Sequence, residues 1–213
     1  MLPRILVINP NSNESVTEGL RASLAGFGDR ADIVCCTLTE GPFGIETDDE
    51  RAMVVPLIVR KIAQSTEFDA FVIACYCDPG LAECRERFDR PIFGIQESAV
   101  AAALHCGRKF GVLALSDESI RGHLIYIERL GCSDRLAGEL PLDVSVDESA
   151  NDPGTLDKIV AQGRRLINEL GADVLILGCA GMVAHKKPAA QALRVPVIEP
   201  VEAAVEAALE SSS

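Results

Sequence analysis

Residues Asp69–Leu81 read DAFVIACYCDPGL, and residues Asp173–Met182 read DVLILGCAGM. Each is an apolar run that starts at an aspartate and reaches a cysteine six residues later, Cys75 in the first and Cys179 in the second. A glycine follows each cysteine closely (Gly80 and Gly181). Continuous Val/Ile/Leu runs bounded by turn residues read as strands of a parallel sheet covered on both faces. The chain therefore builds the same strand twice and places a thiol at its tip each time.

The likeness extends outward from these two strands. RILVINPNS from Arg4 stands opposite KFGVLALSD from Lys109, and PIFGIQESAVAAAL from Pro91 stands opposite PVIEPVEAAVEAAL from Pro196. All three pairs occur in the same order, and their offset varies by one residue. Any one strand–turn–helix match is weak, but three in register point to an internal duplication. Strands are expected at Ile5–Asn9, Ile33–Leu38, Ala70–Cys75, Ile92–Ile95, Phe110–Leu115, Val174–Gly178 and Val195–Ile198. A further strand is placed near Leu140–Val144, in the least readable segment. Helical periodicity covers Glu14–Leu24, Asp49–Gln64, Leu81–Phe88, Glu97–His105, Glu118–Leu130, Thr155–Leu170, Val183–Leu193 and Pro200–Leu209. The fold class is α/β: two pseudo-symmetric lobes, each a mostly parallel sheet flanked by helices, with the site in the cleft between them. If the last helix packs back on the first half, lobe one is 1–96 plus 199–213 and lobe two is 97–198.

Composition narrows the function. The 213 residues are 48% hydrophobic and 24% charged, as in an ordinary globular protein, and the formal charge is −12. That balance argues against a nucleic-acid partner or an anionic membrane surface, either of which calls for a basic face. No apolar stretch reaches the ~20 residues that span a bilayer. The opening MLPRILVINPN turns strand-like too early for a signal peptide, so a cytoplasmic location is expected. In that setting the eight cysteines are reduced thiols rather than a disulfide framework. No pair of zinc knuckles accompanies the CYC triplet, and His105, His123 and His185 show no metal spacing. The Gly26–Gly28 triplet lacks the preceding strand of a dinucleotide site.

Ligands of open parallel sheets bind beyond the carboxyl ends of the strands, where helix N-termini point. Both cysteines lie at such ends, so a pseudo-twofold arrangement puts the two thiols on opposite sides of one cleft. Two acid/base groups facing one carbon suit a reaction that removes a proton from one face and returns it to the other. A thiol can do both jobs, and a nearby cation or helix N-terminus brings its pKa toward the working pH. Backbone amides would hold the developing enolate oxygen. Neither a metal nor an organic cofactor is required, and the partner is a small molecule.

The ordered set of INPNS (Ile8–Ser12), GPFGIETDDE (Gly41–Glu50), IACYCDPGL (Ile73–Leu81), PIFGIQESA (Pro91–Ala99), LGCAGM (Leu177–Met182) and VPVIEPVEAAV (Val195–Val205) resembles the aspartate/glutamate/hydantoin racemase superfamily. Within it the likeness is to the hydantoin and allantoin racemases. The resemblance implies cofactor-independent two-base racemisation, Cys75 and Cys179 as the acid/base pair, and a homo-oligomer. It also implies that Asn9 and Asn11 bind polar groups of the substrate at the cleft wall. Gly44 and Ile45 in the GPFGIETDDE loop, Cys77 and Asp78 after the first thiol, Ser116, and Ala180 and Gly181 after the second complete the expected substrate contacts. Amino-acid racemases of the superfamily tend to follow their cysteines with Asn-Thr and Thr-His. Here Tyr76-Cys77 and Ala180-Gly181 stand in those places, which favours a 5-substituted hydantoin or related ureide over aspartate or glutamate.

Plainer readings stand beside these. Buried cysteine is usually a small hydrophobe, which suits Cys35, Cys36, Cys84, Cys106 and Cys132. Asn9-Pro10-Asn11 can simply turn the chain, with Ser12 or Asn13 capping the next helix. Glu97 and Glu202 suit helix N-termini, and GPFGIETDDE can be a solvated loop. The functional alternatives are another superfamily activity (an amino-acid racemase, a decarboxylase of malonates, a cis–trans isomerase of a dicarboxylate), a non-catalytic ureide-binding protein, and a thiol redox role for the CYC triplet.

Overall fold

The computed structural model describes residues 2–211. It contains two four-stranded sheets with the same strand order. The first comprises β1 (Arg4–Asn9), β2 (Asp32–Thr37), β3 (Ala70–Ile73) and β4 (Ile92–Gly94), in the order β2-β1-β3-β4. The second comprises β5 (Phe110–Ala114), β6 (Leu136–Pro141), β7 (Val174–Leu177) and β8 (Val197–Ile198), in the order β6-β5-β7-β8. All pairings are parallel. The two cysteine strands, β3 and β7, hold equivalent places one strand in from an edge.

Strand alternation explains why both faces of the first sheet are covered. Ile5 and Val7 of β1 face a core shared with the second sheet, whereas Leu6 and Ile8 face a separate core under the long helix α2 (Asp48–Gln64). Val54, Ile58 and Ile62, one helical turn apart, supply the α2 side of that second core. A Thr47/Glu50 capping box starts α2. The short α3 (Leu81–Arg87) and α4 (Ile95–Cys106) complete the first half, and α9 (Pro200–Ser211) ends the second. Although α4 follows the first sheet, it packs on β7, and α9 packs on β3 and β4. The two helices also pack on each other, through faces rich in alanine.

Several local expectations shift. β3 ends at Ile73, so Cys75 sits in the loop beyond the strand rather than on it. α3 starts at the expected Leu81, after Gly80 at φ 70°. Val55 would lie 2.9 Å from a Cβ at Gly80, so both backbone and space require glycine there. β6 runs Leu136–Pro141, upstream of the expected Leu140–Val144, because Gly138 and Glu139 interrupt the apolar pattern yet pair with β5. Leu142 and Val144 prolong that pairing by donating to Ala114 O and Leu115 O. Acid-rich SVDESAN forms the unanticipated α6 (Val146–Asn151), started by a Ser145/Glu148 capping box. The expected Val183–Leu193 helix divides into a 3-10 turn, Ala180–His185, followed by α8 (Lys186–Leu193). The remaining helices are α1 (Glu14–Leu24), α5 (Asp117–Arg129) and α7 (Thr155–Asn168). Among the described residues no helix is long and apolar enough to cross a membrane.

Candidate active site

Beyond the shared core and the α4–α9 pairing, the halves meet along two seams. On one side α6 docks on the first half: Asn13 Nδ2 donates to Asp147 Oδ1 (2.9 Å) and Val146 N donates to Glu46 Oε1 (3.0 Å). On the other, Arg51 of α2 reaches toward α5, where Gly122 leaves its guanidinium carbon 3.8 Å from a would-be Cβ. Between the seams lies a half-enclosed cavity with about 460 Å³ of empty space, its mouth included. Cys75 and Cys179 both line it.

Each thiol has its own surroundings. Cys75 lies on a loop pinned by Asp78, whose carboxylate accepts Gln96 N (2.9 Å) and Glu97 N (3.0 Å) at the start of α4. Its Sγ is 3.4 Å from Cys77 Sγ. The hydrogen bond to Cys77, then burial, then the charge of Cys77 hold the Cys75 thiol well above its ordinary pKa. Cys179 caps the 3-10 turn: Gly181 N donates to its Sγ (3.3 Å), and Ser149 Oγ lies 3.7 Å away. Burial pushes Cys179 up to about 11, against the pull of Gly181 N–H and Ser149, and the charge of Cys75 adds to the rise. This reverses the expectation of thiols tuned downward. Removal from water outweighs the local donors, and the cation in the cavity wall, Arg51, is paired with Asp48 (Nε to Oδ1 3.1 Å).

Of the expected contacts, Asn11, Ile45, Cys77, Ala180 and Gly181 line the same cavity as the two thiols. Asn9, Gly44, Asp78 and Ser116 do not line it. Asn9 is fully buried, and its Nδ2 donates to Asn11 Oδ1 (3.0 Å), Asn13 O (3.2 Å) and Thr17 Oγ1 (3.0 Å). It is the bracket for Asn11, whose Oδ1 also accepts Asn13 N (2.9 Å). That leaves the Asn11 NH₂ group for the cavity. Gly44 passes under α6, where Val146 side-chain atoms lie 3.2 Å from a would-be Cβ. Asp78 turns from the cavity because its two acceptor bonds cap α4, and burial pushes it up to about 7 against those bonds. Ser116 is the N-cap of α5, its hydroxyl taken by Ser119 N (3.3 Å). Gly181 keeps its expected place, but its bareness serves packing: Ser149 Oγ would lie 2.4 Å from a Cβ there.

The cavity wall also includes Arg51, Tyr76, Ser119 and His123, which the sequence reading did not select. One signal was present. Ser119, His123 and Ile127 lie four apart on the buried stripe of α5, and polar residues on a core stripe mark either a partner or a site. Among the described residues, no group of three or more His, Cys, Asp or Glu side chains is placed to hold a metal ion.

The chain also matches known proteins over most of its length. The model of the Asp/Glu/hydantoin racemase family matches residues 5–208. A hydantoin racemase of Paenarthrobacter aurescens is 33% identical over 207 residues, covering 94% of this chain and 87% of that one. Among solved structures, an allantoin racemase from Klebsiella pneumoniae matches with TM-score 0.93 at 29% identity, covering 98% of this chain and 86% of that one. An allantoin racemase from Pseudomonas fluorescens matches with TM-score 0.90 at 30% identity, covering 98% and 89%.

Proposed function

The chain belongs to the Asp/Glu/hydantoin racemase family, and on that premise we propose that it racemises 5-substituted hydantoins or a related ureide such as allantoin, with Cys75 and Cys179 as the acid/base pair. It is an isomerase, as its family relatives are. The observation that carries the thiol assignment is that equivalent positions of two duplicated halves line one cavity.

The chemistry follows from that placement. One sulfur, as thiolate, takes the proton from the carbon beside the carbonyl. The C–H electron pair moves into that carbonyl, forming an enolate whose oxygen needs a donor, and the Asn11 NH₂ is a free donor in the wall. The opposing S–H then delivers its proton to the other face. One sulfur ends protonated and the other deprotonated, so the reverse reaction starts from the complementary state. With both thiols held above their ordinary pKa, the reactive thiolate is the minor form at neutral pH.

Deuterium exchange tests the reading. In heavy water the wild-type protein exchanges the C5 proton of a chiral 5-alkylhydantoin while racemising it. Cys75→Ala and Cys179→Ala each lower racemisation by about 10²- to 10⁴-fold, the range for losing one proton-transfer group. Full racemisation by either single variant rejects the two-thiol mechanism.

A further inference from the structure

His123 lines the thiol cavity and is nearly buried. Its Nδ1 meets Glu139 Oε2 at 3.0 Å, and the Glu139 side chain is fully enclosed at 0% exposure. The Tyr76 ring stands edge-on to the imidazole with centroids 4.9 Å apart, and Gln96 Nε2 donates to the His123 carbonyl (3.3 Å). The ring is thus held by Glu139 and Tyr76, and the backbone behind it by Gln96. The polar atoms around it are incompletely used: Glu139 Oε1, Gln96 Oε1 and Tyr76 Oη are all buried without a hydrogen-bond partner among the described residues.

A fully enclosed carboxylate with one protein partner is expensive, and an apolar side chain of similar volume serves packing better. What Glu139 does accomplish is orientation. By accepting Nδ1–H it fixes the tautomer and leaves the lone pair on Nε2, which has no protein partner among the described residues. The Asn11 NH₂ is a donor, and both thiols are engaged in proton transfer. Ureides present N–H donors beside their carbonyls, and a buried N–H without an acceptor is strongly penalised. We propose that His123, seated by Glu139, accepts a hydrogen bond from a ureide N–H of the substrate through Nε2, and so selects ureides over carbon acids that lack that donor. This rests on the racemase reading and names the feature of the substrate that the site recognises. The donor is a ring N–H or an N–H of the 5-substituent.

The test compares C5 deuterium exchange across a substrate series. The parent is a 5-alkylhydantoin. One analogue replaces N1–H by ring oxygen (the oxazolidine-2,4-dione), one carries N3-methyl, and allantoin adds ureido N–H groups at C5. In the wild-type protein, loss of the bonded N–H lowers kcat/KM by about ten- to a hundredfold; for a substituent donor, allantoin is preferred over the alkyl parent by that margin. In His123→Leu the same comparison falls to near unity, and the pair of compounds whose difference vanishes identifies the bonded N–H. A uniform loss across all compounds, or no loss at all, overturns the proposal and makes His123 a structural residue. Should His123→Leu fail to fold, Glu139→Met, which removes the acceptor of Nδ1–H, carries the comparison: a smaller N–H preference supports the proposal and an unchanged one overturns it. Absence of C5 exchange by the wild-type protein on every compound defeats the racemase reading and this inference with it, whereas exchange with equal loss defeats the inference alone.

Discussion

The two halves repeat a strand order but not a thiol environment. Cys179 receives a backbone amide from Gly181, a donor that favours the charged sulfur. Cys75 is paired with another thiol, Cys77, which disfavours it. The duplicated halves therefore bring two thiols to one cavity, and the residues after each strand give them unequal surroundings. Both thiols are nevertheless held above their ordinary pKa, Cys179 at about 11.

The comparison can be broken at its strongest point by replacing one sulfur. Cys179→Ser and Cys75→Ser should both lose racemisation by orders of magnitude, with exchange of a single enantiomer as the sharper readout. If the halves are as unequal as their surroundings, the two variants exchange opposite enantiomers at different rates; identical behaviour removes the asymmetry. A smaller effect is expected from Cys77→Ser or Cys77→Ala. Loss of the sulfur pair lowers the Cys75 pKa and so raises its thiolate fraction between pH 8 and 9. Iodoacetamide should then label Cys75 faster, by about tenfold if the pKa falls by one. An unchanged labelling profile shows that Cys77 does not control its neighbour.

Gly181→Ala probes the other half. A methyl 2.4 Å from Ser149 Oγ must displace the hydroxyl or the turn. A destabilisation of about 1–3 kcal/mol, typical of overpacking, should appear in denaturant unfolding together with a rise in the Cys179 pKa. Wild-type stability and an unaltered thiol titration reject the cramped geometry.

The smallest expected effect concerns two buried carboxylates, one in each half. Asp78 accepts the first amides of α4, and Glu199 accepts Val201 N (3.0 Å) and Glu202 N (2.7 Å) of α9. Burial pushes both up to about 7. Their folded pKa values lie above the ordinary 3.8 and 4.5, so the folded state holds protons that the unfolded chain has released. Their contribution is complete below about pH 4 and is lost as pH rises through 7. Melting temperature should thus fall between pH 5 and 8, and Asp78→Asn with Glu199→Gln should flatten that slope; an equal slope in the double variant contradicts it.

Much of this was readable in one dimension. The strands β1, β3, β5 and β7 announced themselves by unbroken Val/Ile/Leu runs because both faces of each are buried. The repeat announced the thiol pair. β6 reads a few residues late because its centre is Gly138-Glu139, and a charged side chain there signals a surface unless its histidine partner on α5 is known. Asn9, Asp78 and Ser116 stand outside the cavity lining, because the polar groups that suit substrates also cap helices and close turns, as these three do. Arg51 and His123 escaped for the opposite reason: each sits within a helix far along the chain from either cysteine.

The sequence alone determined the doubled α/β architecture and the placement of a thiol at the carboxyl end of each inner strand, since hydrophobic periodicity and turn chemistry act over a few neighbouring residues. Only the tertiary structure decided that both tips open into one cavity, which polar side chains face it and which merely brace it, and how strongly each thiol resists ionisation. Those properties depend on burial and on charges brought together from distant segments, and no local pattern encodes them.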